Sequence, residues 1–366
     1  MLIFYGTHLD LRDKNSPTSF GGESMQNDFI SLLRKLAPDL TDEMARRAMI
    51  LDRISLMQPV GRRQLAGKLN LTEREIRNTA AILKDLGYIE LNTAGMVLTD
   101  RSSEILDNAR NFCKAMSGLN DMEAAVSRLL DIERVVIVAG NTDEDPQVLQ
   151  DMGRIGAIQL KSVLQNGDTL AVTGGSTIAM VAHNLPAYVT PLNVMVVPAR
   201  GGLGRSVETQ ANTLAAEIAG KTGGHHRLIH LPDHMDESAR QEMLKLTEIR
   251  EVIDLLERAD IILHGIGTAS QTMKERKLSA SEQKYLTDNN AAGESFGSYF
   301  TIDGTCLLES SSIGIDLAKL SPKCRMIAVA GGARKAEAII SVMRHYRHTT
   351  LITDEGAAEK IIRILS

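Results

Sequence analysis

Four short stretches in the second half of the chain have the residue types and spacing to hold phosphate. They are VTGGST (172–177), PARGGLG (198–204), HGIG (264–267) and AVAGGARK (328–335). Each follows an apolar run that reads as a strand. A turn that leads from a strand into a helix leaves backbone N–H groups and a helix N-terminus where an anion can sit. Gly174 and Gly175 allow close approach of the backbone, and Ser176 and Thr177 add hydroxyl donors. Arg200 stands at a second strand end, and Lys335 falls in the first turn of another helix, beyond Gly331 and Gly332. Three donor-bearing turns and two cations exceed what one phosphate needs and fit a bisphosphorylated ligand. None of the turns is a GxGxxG with an acid some twenty residues on, and none is a GK[ST] loop, so nicotinamide and nucleotide-triphosphate chemistry are not expected. His264, Glu294 and Asp303 could supply the acid and base of a sugar-phosphate isomerisation. His264 beside glycines also reads as a strand cap, and Asp303-Gly304 as a turn pair. Catalysis is therefore the alternative, and ligand binding without turnover the expectation.

The first half offers different chemistry. Between residues 44 and 84 there are nine Lys or Arg against three acids, enough to neutralise several DNA phosphates. The stretch GRRQLAGKL (61–69), a turn at Asn70 and LTEREIRNTAAILKDLG (71–87) read as a helix-turn-helix. Thr72 is the expected N-cap of the second helix, and Glu75 completes a capping box. Thr72, Glu73, Arg74, Arg77 and Asn78 would face base edges, where Arg suits guanine and Asn suits adenine. Arg62 and Arg63 are placed for backbone phosphates. YIELNTAGMVLT (88–99) is a hairpin signal, a wing expected near the minor groove.

The elements that must position these residues follow from periodicity. Residues 25–37 read as a short amphipathic helix, and Thr41 as the cap of the next. Ile105, Ala109, Phe112, Met116 and Leu119 form a two-heptad seam within 101–120. From residue 132, strands at 135–140, 169–173, 193–199, 227–231, 260–265, 326–331 and 349–354 alternate with helices. That rhythm implies an α/β domain with a mostly parallel sheet covered on both faces. The first 24 residues lack the order of a signal peptide, and Gly21-Gly22-Glu23 before Met25 is what a ribosome-binding site spells as codons, so Met25 is the expected start.

Composition sets the remaining bounds. With 366 residues, 43% hydrophobic and 24% charged, the chain is an ordinary multi-domain protein, and its net charge of −5 leaves room for a local basic surface. The apolar runs are too short to span a bilayer. Cys113, Cys306 and Cys324 show no ligand spacing and are expected as buried free thiols. At 3% aromatics and no Trp, single-strand stacking is not expected.

Taken together, the winged helix followed by VTGGST, PARGGLG, QANT (210–213), HGIG, FGSYF (296–300), AVAGGARKAEAI (328–339) and TDEGAA (353–358) resembles the SorC family of sugar-responsive transcription regulators. The resemblance runs from about residue 25 to the C-terminus. It implies an effector domain similar in fold to sugar-phosphate isomerases and glucosamine-6-phosphate deaminase. It also implies fructose 1,6-bisphosphate as effector, held by Gly174, Gly175, Ser176, Thr177, Arg200, Gln210, Glu294 and Lys335. The spacing after HGIG departs from the family around TASQTMKERK (268–277), so Arg276 is not carried over. The expected organisation is an extension at 1–24, a winged helix-turn-helix at 25–100, a helical linker at 101–131 and an effector and oligomerisation domain at 132–366. The implied function is a cytoplasmic, non-enzymatic repressor of glycolytic genes. It would bind double-stranded operator DNA as a homo-oligomer, dimer or tetramer, with the effector lowering operator affinity and neither metal nor cofactor required.

Overall fold

Pro38 sets where the first long helix begins. Its fixed φ and missing N–H suit the first helical position, so in the computed structural model α1 runs Pro38–Met57. Thr41 lies inside it instead of capping it, and its hydroxyl donates back to the carbonyls of Ala37 and Pro38 at 3.1 and 2.8 Å. The structure describes residues 32–33, 35–69, 71–201, 206–231, 237–309, 312–346 and 349–366. The extension at 1–24, the start at Met25 and most of the helix expected over 25–37 lie outside the described residues.

The chain forms two compact units, Met1–Ser117 and Gly118–Ser366. In the first, α1 is followed by α2 (Arg62–Leu69), α3 (Glu73–Asp85), the hairpin strands β1 (Ile89–Asn92) and β2 (Gly95–Leu98), and α4 (Ser103–Ser117). Ile50, Ile54, Leu65, Ile76, Leu83, Ile89 and Met96 close its core. Val60 pairs with Met96 as a third, single-residue strand against the hairpin. The seam expected to run from Ile105 to Leu119 is interrupted: Gly118 takes φ 76°, a left-handed conformation that ends α4. Ile105, Leu106 and Ala109 pack against the first unit's core, and Arg110 Nε bonds Asp52 Oδ1 at 2.7 Å. Leu119 opens a helix of the second unit.

That unit runs α5 (Leu119–Leu130), β3 (Arg134–Val138), α6 (Pro146–Val163), β4 (Thr169–Val172), α7 (Ser176–Asn184), β5 (Met195–Pro198), α8 (Ala211–Thr222) and β6 (His225–His226). Then come α9 (Glu237–Met243), α10 (Thr247–Glu257), β7 (Ile261–Gly265), β8 (Gly267–Thr268), α11 (Ala269–Glu275) and α12 (Ala280–Asp288). It closes with β9 (Ala291–Ser295), β10 (Ser298–Thr301), β11 (Cys306–Leu308), β12 (Arg325–Val329), α13 (Ala336–His345), β13 (Thr349–Asp354) and α14 (Glu355–Leu365). The main sheet has the order β3-β13-β12-β7-β4-β5-β6 and every pairing in it is parallel. Alternate strand residues face opposite ways: Leu170 and Val172 pack with α6, α7 and α8, and Ala171 packs with α10. At the β3 edge, Glu123 Oε1 from α5 accepts the N–H of Ile137 at 2.7 Å.

Two strand expectations need correction. RLIHL (227–231) is not a strand; β6 lies before it, at His225–His226. Beyond Arg227 the backbone leaves the ladder because the Asn212 amide captures both the carbonyl and the N–H of Ile229, at 2.7 and 3.2 Å. The sequence reading also lacked a second sheet, the antiparallel β11-β10-β9-β8. The three thiols are free, as expected, but only half-buried. No described helix is long and apolar enough to cross a membrane.

α6 lies flat against α7 because Gly153 has no side chain; a Cβ there would stand 2.6 Å from Met180 Cβ. Gly153→Ala should therefore cost about 1–3 kcal/mol by overpacking, read as a lower urea midpoint with an unchanged slope. A midpoint at or above that of the unsubstituted protein would show that α6 and α7 separate easily.

Candidate effector pocket and DNA-reading face

Strand order fixes where a ligand can bind in the second unit. The chain leaves β4 toward β5 and leaves β7 toward β12, on opposite sides. Connections that diverge this way open a crevice at the strand C-termini. Thr173 closes its floor: its N–H reaches Leu263 O at 3.0 Å, and its hydroxyl accepts the N–H of Gly265 at 3.1 Å. Above it lies a cavity of about 820 Å³.

Gly174, Gly175, Ser176, Thr177, Arg200, Gln210, Glu294 and Lys335, the residues expected to hold the effector, line this one cavity. A Cβ on Gly174 would stand 2.6 Å from Thr209 O, so only glycine allows the turn to pass under the start of α8. Gly175 takes φ 117° and donates its N–H to Thr209 O at 2.9 Å. The first turn of α7 then presents N–H groups for which a helix start has no carbonyl partners. Arg200 follows β5, and Gln210 occupies the N-cap position of α8. Lys335 closes a 3₁₀ turn, Ala333–Lys335, just ahead of α13, and its Nζ donates to Ile266 O at 3.1 Å. Burial pushes its ammonium below the ordinary lysine value, against the upward pull of Asp143, Glu275 and Asp354.

Arg276, set aside on motif spacing, also lines the cavity. Its NH2 bonds Glu294 Oε1 at 2.7 Å, and the same oxygen accepts the Gly297 N–H at 2.6 Å. Glu294 is buried, and this pairing matches its charge inside the wall. Phe296 was missed as a lining residue. It occupies the two-residue turn between β9 and β10 with φ 54°, followed by Gly297 at φ 90°. Both left-handed positions suit a tight hairpin, and the FG pair was the available signal. Its ring lies 4.7 Å from that of His264.

His264 itself is fully buried and is not among the lining residues. Its Nδ1 meets Ser295 Oγ at 3.1 Å, and that hydroxyl donates to Gly265 O at 3.2 Å. Nδ1 is therefore the protonated nitrogen, and burial holds the imidazole pKa down at about 4. Asp303 sits in the exposed β10–β11 hairpin, paired with the Thr301 hydroxyl and the Thr305 N–H, outside the cavity.

In the first unit, α3 buries Ile76, Thr79, Ala80 and Leu83 and exposes Thr72, Glu73, Arg74, Arg77 and Asn78. The expected capping box is present: Thr72 Oγ1 accepts the Glu75 N–H at 3.2 Å, and Glu75 Oε2 accepts the Thr72 N–H at 2.8 Å. Glu73 is held by Arg63, Nε to Oε1 at 3.1 Å. Arg62 and Arg63 are exposed at the start of α2. The hairpin 88–99 contains no Lys or Arg and one acid, Glu90.

Two protein families match these two units in turn. The CggR N-terminal DNA-binding domain matches residues 44–113, and Sugar-bind, a sugar-binding domain, matches residues 114–363. The chain is 38% identical over 335 residues to the Central glycolytic genes regulator of Priestia megaterium, covering 91% of this chain and 98% of that protein. It is 36% identical over 337 residues to the Central glycolytic genes regulator of Bacillus subtilis, covering 92% and 99%. A SorC-family transcriptional regulator from Enterococcus faecalis aligns with TM-score 0.62 at 37% identity, over 66% of this chain and 99% of that one. The full-length sorbitol operon regulator SorC from Klebsiella pneumoniae shares the fold, with TM-score 0.61 at 19% identity over 86% and 98%. A DNA-binding domain ahead of a sugar-binding domain defines a transcription regulator. The chain belongs to the SorC family.

The buried imidazole leads to a pH prediction. His264 takes up a proton near pH 6.5 when unfolded but only near 4 when folded, so the unfolded state binds more protons in between. Stability from this group is complete above about 6.5 and is lost as the pH falls toward 4. The loss should be about 3 kcal/mol, seen in urea unfolding as a slope that His264→Gln lacks. Equal slopes in the two proteins would refute it.

Proposed function

We propose that this protein represses glycolytic genes and releases its operator when a phosphorylated sugar, fructose 1,6-bisphosphate, fills the cavity. The observation that carries the reading is the convergence of the α7 N-terminus, Arg200, Arg276 and Lys335 on one cavity of about 820 Å³. Cationic and N–H donors on several walls suit a ligand with phosphate at both ends, since charge-assisted hydrogen bonds to phosphate are the strong ones. The relatives named for central glycolytic genes point to the same class of target. Ser176, Thr177 and the two glycines before them would hold one phosphate, Arg200 and Lys335 would supply charge, and Gln210 and Glu294 would meet hydroxyls.

On DNA, Arg74, Arg77 and Asn78 would read bases. Thr72 and Glu73 would act by fixing the helix start and Arg63, and Arg62 would contact phosphate. A homo-oligomer, dimer or tetramer, would present two such helices to a pseudo-palindromic operator. The isomerase alternative finds no support at the cavity, where Glu294 is committed to Arg276 and the Gly297 N–H, and His264 lies sealed under Phe296.

Titrating the protein with fructose 1,6-bisphosphate in the presence and absence of operator duplex is the decisive experiment. Linkage requires DNA to weaken effector binding by the factor by which effector weakens DNA binding. Equal effector affinities in both conditions would end the proposal. Lys335→Ala and Arg200→Ala should retain operator binding and lose the response, and a wild-type response in both would move the pocket elsewhere. Arg77→Ala should weaken specific operator binding by about 1–3 kcal/mol, measured by fluorescence anisotropy; unchanged affinity would remove Arg77 from readout.

A further inference from the structure

Acids from two distant segments hold the turn that presents Lys335. Asp354, at the end of β13, is fully buried. Its Oδ2 accepts the N–H groups of Thr142 and Gly332 at 2.7 and 2.8 Å, and its Oδ1 accepts that of Ala357 at 2.9 Å, capping α14. Asp143, between β3 and α6, accepts the backbone N–H and the Nε of Arg334, both at 2.9 Å. The two glycines ahead of Lys335 answer to these carboxylates. A Cβ on Gly331 would stand 2.9 Å from Asp354 Oδ2, and one on Gly332, which takes φ 99°, would stand 2.7 Å from Asp143 Oδ1.

Two carboxylates beside an anion-binding cavity oppose a phosphate, and a neutral acceptor could hold the same N–H groups. What a carboxylate adds is negative charge: Asp143 pairs directly with Arg334, and the charge of both acids also acts on the Lys335 ammonium. The charged groups that face the Lys335 ammonium are Asp143, Glu275, Asp354 and Arg334. The ammonium is half-buried and reaches a backbone carbonyl, Ile266 O, an uncharged partner. Burial in such surroundings favours the neutral amine, and neighbouring carboxylates favour the charged form.

We propose that Asp354, with Asp143, acts as a positioning residue for Lys335, fixing the turn that carries it and setting negative charge beside its ammonium. This rests on the reading of the cavity as a phosphorylated-sugar site, and two measurements keep the claims apart. The first needs no sugar. Lysines of the full chain are reductively ¹³C-methylated and titrated by NMR, with Lys335 assigned by its absence in Lys335→Arg. In Asp354→Asn and in Asp143→Asn, Lys335 should lose its proton at a lower pH than in the wild type. The second is fructose 1,6-bisphosphate affinity against pH. In Asp354→Asn it should begin to fall at a correspondingly lower pH. Pairing that variant with Lys335→Arg should remove the dependence, because a guanidinium stays protonated. A Lys335 midpoint unmoved in both variants would overturn the proposal. Should Asp354→Asn fail to fold, Asp143→Asn, which leaves the buried cap of α14 intact, decides it alone. Absence of sugar binding by the wild type at any pH would instead overturn the ligand reading, and the lysine titration would still decide whether the two acids act on the Lys335 ammonium.

Discussion

The pairing of β4 with β7 is the contact on which the rest of the second unit depends. The two strands run in parallel register as far as Val172 and Leu263. Thr173 then makes a last backbone bond to Leu263 and a hydroxyl bond to Gly265 before the chains part. One strand hands on to β5 and the other to β12, so the gap between their exits is filled by no connection of its own. The α7 N-terminus, Arg200 and Lys335 stand just beyond the ends of strands at or beside this divide, and Arg276 reaches the cavity from the end of α11. Gly174 and Lys335 are far apart in sequence, and only the sheet brings them to one opening. α6 supports both sides: Gly153 lies under α7, and Met152 Sδ fills the space above Gly331, 2.6 Å from where a Cβ would stand.

The small antiparallel sheet serves a different purpose. Its hairpin carries Glu294 and Phe296 up to the cavity wall, and a tight two-residue turn with both residues left-handed holds them there. Leaving phenylalanine in that region costs of order 1 kcal/mol. Packing against His264 and Tyr346 offsets it. Glu294 in turn orients Arg276, so the guanidinium meets the cavity from a fixed direction and not as a mobile surface charge. The wall is thus electrically mixed, with fixed acids behind the cations.

Much of this was legible in the residues. The capping box follows from Thr72 and Glu75 at a spacing of three, and the hairpin from Asn92 and Gly95, because both depend on local hydrogen bonds. The glycine turns and the strands ahead of them were also readable, since short apolar runs ending in glycine and a hydroxyl have few other uses. What escaped depends on distant partners. The strand expected at 227–231 is apolar enough, but Asn212 takes its backbone. Strands β8 to β11 are two to five residues long and carry no clear alternation, so no period marks them. Arg276 is out of register with HGIG along the chain, whereas its place at the cavity comes from Glu294 across the space between two elements. Likewise the seam through 101–120 was continuous in composition and broken in conformation, because one glycine at position 118 turns left-handed.

The Glu123 carboxylate, reaching from α5 to the outer strand β3, has a consequence for what that rim can pair with. A strand at the rim of a sheet is a template that any extended segment can join. At β3, the Ile137 N–H that such a segment would seek is already answered from α5. At the opposite rim, β6 is two residues long, and the backbone beyond it is taken up by Asn212. Both rims of this sheet therefore present fewer open backbone groups than bare edge strands would.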